Sequence, residues 1–178
     1  GVYFYKSFGM VGDGIGPPPG NVLTGDTTIS DNIATGLLSY AGYGGGIYTE
    51  QGSPLIFANI IEGNDAYYGG GAASRESSPI FVENLIGCQT SPNTASIPAS
   101  SGYGGGVYLD QNSWAVFEKD TIVSNTAVGP ASQGGGQWFT DSDFYMNLTI
   151  MADNTATFGQ EIWGNSPTAQ VVLYPLCY

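Results

Sequence analysis

The six residues Tyr43-Gly44-Gly45-Gly46-Ile47-Tyr48 recur along this chain. They return as Tyr68-Gly69-Gly70-Gly71-Ala72-Ala73, as Tyr103-Gly104-Gly105-Gly106-Val107-Tyr108 and as Gln133-Gly134-Gly135-Gly136-Gln137-Trp138. A worn copy follows at Phe158-Gly159-Gln160-Glu161-Ile162-Trp163. The intervals are 25, 35, 30 and 25 residues, a basic period of 25 with insertions. A fixed period in this range is the mark of stacked structural repeats, each closing its core only against its neighbours.

A second landmark, apolar-x-x-Asn-x-Ala, keeps the same period. It falls at 29–34, 61–66, 122–127 and 151–156, and so places Asn32, Asn64, Asn125 and Asn154 at equivalent positions. One copy is blurred: Ile86 is followed by Gly87-Cys88-Gln89, and Asn93-Thr94-Ala95 comes only after an insertion. The gap from this Ala to the next glycine run is short at Ala66 and Ala156 but longer at Ala34, Ala95 and Ala127. Insertions therefore collect largely at one corner of the repeat.

Within each repeat lie two β-rich runs. One starts at the glycines and includes Ile47-Tyr48-Thr49. The other is Pro54-Leu55-Ile56-Phe57-Ala58-Asn59-Ile60-Ile61, with counterparts at Pro79-Ile80-Phe81-Val82, Ala115-Val116-Phe117 and Phe144-Tyr145-Met146. β-branched and aromatic runs bounded by Gly, Ser, Asn and Asp predict strands. No segment sustains a helical period. A repeat of this length with two or three short strands winds once around an axis.

The Gly-Gly-Gly-aliphatic element, the Ser-rich turn and Phe-x-x-Asn, as in Phe81-Val82-Glu83-Asn84, resemble the repeats of polymorphic outer-membrane-protein-type passengers. More broadly they resemble pectate-lyase-like solenoids. Asp replaces the Asn in Phe117-Glu118-Lys119-Asp120, and the element reads as shortened in Phe57-Ala58-Asn59. The resemblance implies an all-β, right-handed parallel β-helix of about six coils. A single domain spans 1–178: an N-terminal strand and Gly/Pro loop over 1–20, repeats over 21–165, and a C-terminal strand and tail over 166–178. In such a stack Ile47, Val107 and Ile162 point inward. Tyr48, Tyr108, Trp138 and Trp163, one residue on, form an outer aromatic row for contact or sugar stacking. Ala73 interrupts that row. Asn32, Asn64, Asn125 and Asn154 form a structural ladder at a turn, where Asn tolerates left-handed backbone and its amide can hydrogen-bond along the ladder.

Charge narrows the function. Lys and Arg total 3 against 15 Asp and Glu, a net charge of −12. That balance argues against nucleic acid and anionic membrane as partners. The absence of histidine excludes Ser-His and Cys-His nucleophilic sites and His-bearing metal centres. A pectate-lyase-like enzyme would need a base, typically Arg or Lys, beside a Ca²⁺ cluster, but the only arginine, Arg75, is read here in a turn and Lys6 and Lys119 are isolated. Asp141 and Asp143, with Asp110, Asp120 and Asp153, are the oxygen set Ca²⁺ would take, although solvated carboxylates are the default and no cofactor is expected. Asn147-Leu148-Thr149 is an N-glycosylation sequon. Cys88 and Cys177 could form one disulfide, but they lie about three coils, roughly 15 Å, apart in this register.

No run of about 18 apolar residues predicts a membrane-spanning helix. The chain opens without Met and reads as a processed protein or an excerpt. The expectation is a secreted or cell-surface structural or adhesive module that is not an enzyme. Its partners would be itself, other surface proteins or glycans. Strand-like ends at Val2-Tyr3-Phe4-Tyr5 and Val171-Val172-Leu173-Tyr174 leave open edges that could stack end to end into a filament. The alternative is a carbohydrate-active enzyme or carbohydrate-binding module.

Overall fold

The computed structural model describes residues 1–5, 10–12, 22–35, 42–165 and 171–173, with backbone alone at 10–12, 22–26, 165 and 171–173. Among them every regular element is a strand. The chain opens with β1 (Val2–Tyr5), β2 (Met10–Gly12), β3 (Val22–Ser30) and β4 (Ile33–Ala34). A first full pass is β5 (Ile47–Glu50), β6 (Leu55–Glu62) and β7 (Asp65–Ala66). The second is β8 (Ala72–Arg75), β9 (Ile80–Val82), β10 (Leu85–Ile86) and β11 (Thr94–Ser96). The third is β12 (Val107–Asp110), β13 (Trp114–Glu118), β14 (Thr121–Val123) and β15 (Thr126–Val128). Then come β16 (Gln137–Thr140), β17 (Asp143–Asn147) and β18 (Ile150–Ala152), and finally β19 (Ile162–Asn165) and β20 (Val171–Leu173).

Successive passes visit three sheets in the same order, the pass through β16–β18 meeting the third only by the Thr126–Thr155 bridge and the last pass only the first two. The first sheet runs β1-β5-β8-β12-β16-β19 and the third β15-β11-β7-β4. The second is larger, and in it continuous β6 spans both β9 and β10. Pairing is parallel from pass to pass. The periodic residues register as their spacing predicts: Ile47, Ala72, Val107, Gln137 and Ile162 share one position. The inner faces meet in one core that includes Ile47, Ile61, Phe81, Ile86, Leu109, Phe117, Ile122 and Phe144. Phe81 and Phe117 stack within it at 4.9 Å. In the second sheet Ile56, not Phe57, aligns with Phe81, so the repeat at 56–59 is full length rather than shortened.

The glycines solve a crowding problem. Gly104 sits at φ 66°, in left-handed backbone open to glycine at little cost. A Cβ on Gly105 would lie 2.5 Å from the Gly135 carbonyl oxygen and 2.6 Å from the Thr126 nitrogen. Along the glycines themselves the hydrogen bonds run one way. Gly69, Gly70, Gly71 and Ala72 donate their N–H groups to the carbonyls of Tyr103, Gly104, Gly105 and Gly106 in the next pass. Gly104, Gly105, Gly106 and Val107 repeat the pattern toward Gln133, Gly134, Gly135 and Gly136.

The asparagines form a continuous chain of amides. The Nδ2 of Asn32 donates to Oδ1 of Asn64 at 2.9 Å, Asn64 to Asn93 at 2.9 Å, Asn93 to Asn125 at 2.9 Å, and Asn125 to Asn154 at 3.0 Å. Asn93, from the blurred copy, is thus a full rung. The last Nδ2, on Asn154, meets the Glu161 carboxylate at 2.5 Å. The left-handed corner belongs to the preceding residue instead: Asp31, Gly63, Ser124 and Asp153 carry positive φ, and the asparagines do not. The amide side chain is selected for bonding between passes, not for its backbone tolerance.

Candidate functional site

The outer face of the first sheet carries the expected aromatic row. Tyr48, Ala73, Tyr108, Trp138 and Trp163 fall in register. Tyr108 and Trp138 stack at 4.7 Å, and Tyr3 extends the row onto Tyr48 at 5.2 Å. The vacancy at Ala73 is filled from elsewhere. Tyr43 and Tyr68, which lead into the glycine runs, stack on each other at 4.7 Å. Tyr43 reaches Tyr48 and Tyr68 reaches Tyr108. Tyr108 is left 5% exposed, whereas Trp163 at the end of the row is 39% exposed. The row is therefore closed at its centre by its own tyrosines.

Under this cover lies the only arginine. Arg75 is the last residue of β8 rather than a turn residue, and its Nε stands 3.3 Å from Oδ1 of Asp110. Both side chains are under a tenth exposed, and the guanidinium lies 5.0 Å from the Tyr43 ring centre. Burial pushes the Asp110 carboxyl up to about 6, with Arg75 pulling the other way. Burial likewise raises Tyr48, and raises Tyr108 with help from the Asp110 charge. Neither tyrosine offers a phenolate near neutral pH, and Arg75 is held by its partner. This cluster binds passes together.

An open cleft of about 610 Å³ sits where the first sheet turns into the second. Its wall is a column of turn residues with positive φ: Glu76, Gln111, Asn112 and Asp141. Its floor is Ser113 and Ser142, both buried. Ser113 N donates to Ser142 Oγ at 3.2 Å, and Ser113 Oγ donates to the Asp110 carbonyl at 2.8 Å. The other rim is Trp114 and Asp143, paired in register on adjacent strands. Trp114 is 42% exposed. Nothing in the sequence alone marks out Trp114. Its signal was the alignment of Ser77-Ser78, Ser113-Trp114 and Ser142-Asp143, visible once the second sheet's register is known.

The five aspartates considered for Ca²⁺ are dispersed. Asp141 and Asp143 line the cleft, Asp110 is paired with Arg75, Asp120 is buried and Asp153 is exposed. Among the described residues no three His, Cys, Asp or Glu side chains are grouped to hold a metal ion. Asn147 ends β17, half-buried, and its carbonyl accepts from Lys119 N at 2.9 Å and Thr149 Oγ1 at 3.3 Å. Cys88 is a half-exposed thiol 3.3 Å from Thr90 Oγ1. Cys177 lies outside the described residues. No family model, curated protein or solved structure matches this chain.

Proposed function

We propose that the chain is a right-handed parallel β-helix of about six coils, acting outside the cell or at its surface as a structural or adhesive module. The cyclic visit to three parallel sheets supports the fold reading. One observation carries the function. The buried asparagine column and the Arg75–Asp110 pair are engaged in bonds between passes, while an open cleft presents carboxylates, amides, serines and an indole. A surface built this way holds a partner by many weak contacts. The alternative, a carbohydrate-active enzyme, is favoured by Glu76, Asp141 and Asp143 lining one cleft.

The test has two arms. Labelled protein is applied to glycan films and glycan-bearing cells, and the same glycans are assayed for new reducing ends or unsaturated products with and without Ca²⁺. Adhesion without cleavage is expected. Turnover abolished by Asp141→Asn would make it an enzyme. Electron microscopy at near-physiological salt examines end-to-end association, in which open edges such as β1 and β19 would meet.

A further inference from the structure

The cleft has a chemical character that selects among ligands. Glu76, Asp141 and Asp143 give it three carboxylates, and none of the eight residues lining it is basic. The whole chain carries a net charge of −12. Like charge disfavours an acidic polysaccharide here, even though acidic sugars are the more obvious cargo for a sugar-handling surface. The lining is rich in acceptors: carboxylate oxygens, the amide oxygens of Gln111 and Asn112, and serine hydroxyls. Acceptors call for a ligand rich in donors.

Shape narrows the class further. The lining comes from three successive passes, with Glu76 just after β8, Gln111 to Trp114 after β12 and Asp141 to Asp143 after β16. At one strand spacing per pass the cleft extends ~10 Å along the stack, enough for more than one sugar ring. Its volume of about 610 Å³ is typical of small-molecule sites. Trp114 offers an apolar ring face beside polar groups, the pairing that a pyranose with one CH face and a rim of hydroxyls requires. The floor is rigid, because Ser113 is bonded to Ser142, to Asp110 and to Ser74 at 3.2 Å. Glu76 is steadied by Gln51, whose Nε2 donates to Oε2 at 2.9 Å.

We propose that this cleft seats a short stretch of neutral or amino-bearing glycan, recognised through its hydroxyl and ammonium donors and stacked on Trp114. The inference rests on the adhesive reading and names its ligand. An ammonium group gains from the three carboxylates and from the indole face. The amino sugar therefore binds more tightly than the neutral one at low salt.

The experiment is calorimetric titration of the full chain with cellotetraose, with the tetramer of chitosan and with tetragalacturonate. The first two bind and the third does not. The advantage of the chitosan tetramer shrinks as salt rises through ~0.1 M, where surface charge is screened. Trp114→Ala weakens both by at least ~10-fold, whereas Val128→Ala, an exposed residue of β15, leaves both unchanged. Thermal unfolding of each variant confirms that it is folded. Equal binding of tetragalacturonate, unchanged affinity in Trp114→Ala, or a requirement for added Ca²⁺ would each overturn the assignment. If no tetramer binds while the protein still coats glycan films, this inference falls and the adhesive reading stands. If coating fails as well, both fall.

Discussion

Asp120 stands in a row whose other rungs include asparagine. Asn59 N donates to Asn84 Oδ1 at 3.0 Å, and Asn84 N and Nδ2 donate to Asp120 Oδ1 at 2.8 and 2.9 Å. Glu118 N donates to the other oxygen, Oδ2, at 3.0 Å. Each preceding residue, Ala58, Glu83 and Lys119, has left-handed backbone. Asp120 is fully buried, and burial pushes its carboxyl up to about 7, against the pull of the N–H donors. The neighbouring Glu118 pushes it further up, while Lys119 is turned outward onto Glu83. With the folded value above the unfolded one, the native state holds an extra proton between them. Stability therefore falls as pH rises from about 4 to about 7. Asp120→Asn removes this slope. Relative to the parent, the variant should gain up to ~2–3 kcal/mol between pH 5 and pH 8. Denaturant unfolding of both proteins at the two pH values checks it. A difference that stays flat with pH would mean that Asp120 is ionised throughout.

At the scale of one element the glycine corner is the least forgiving part of the repeat. Gly105→Ala forces a Cβ to within 2.6 Å of the Gly135 oxygen and of Thr126 backbone atoms on adjacent passes. Backbone cannot step aside as a side-chain tip can, so the passes must separate. A loss of at least ~3 kcal/mol is expected, at the upper end of ordinary point-mutant effects. Thermal unfolding beside Gln111→Ala, on the exposed turn, measures it. This corner was legible in the sequence because backbone crowding leaves a residue-type signature, and the Asn column was legible because amide bonding from pass to pass demands one residue type at a fixed period. What escaped was the identity of neighbours across passes. Tyr43 and Tyr68 cover Ala73, Asp110 neutralises Arg75, and Trp114 meets Asp143 only because unequal insertions bring those residues into register. Spacing along the chain reveals a period, but it does not show which side chain folds over a gap.

Across the whole molecule each pass touches only its neighbours, so protection should grade with depth in the stack. Backbone amides of Asn64 and Asn125, buried and bonded to the next rung at 3.1 and 2.9 Å, should exchange with solvent more slowly than that of half-buried Asn32. Hydrogen exchange read by mass spectrometry should show slow central passes flanked by faster ends. Uniform protection would indicate one all-or-none unit. The one-way bonding of the glycine corner has an electrical consequence. In an ordinary sheet, strand dipoles largely cancel. Here successive peptide N–H groups along the glycines point toward the β19 end, while an asparagine amide such as that of Asn93 sends one bond forward to the next rung and one back to a carbonyl of the preceding pass. The moments of the glycine peptides add, as they do along an α-helix. The alignment is confined to this corner, because elsewhere bonds also run back, as from Thr94 N to the Asn64 carbonyl and from Val116 N to the Pro79 carbonyl. At the β19 end of the asparagine column the last donor meets Glu161, whose carboxylate takes the place an acidic residue occupies at a helix N-terminus.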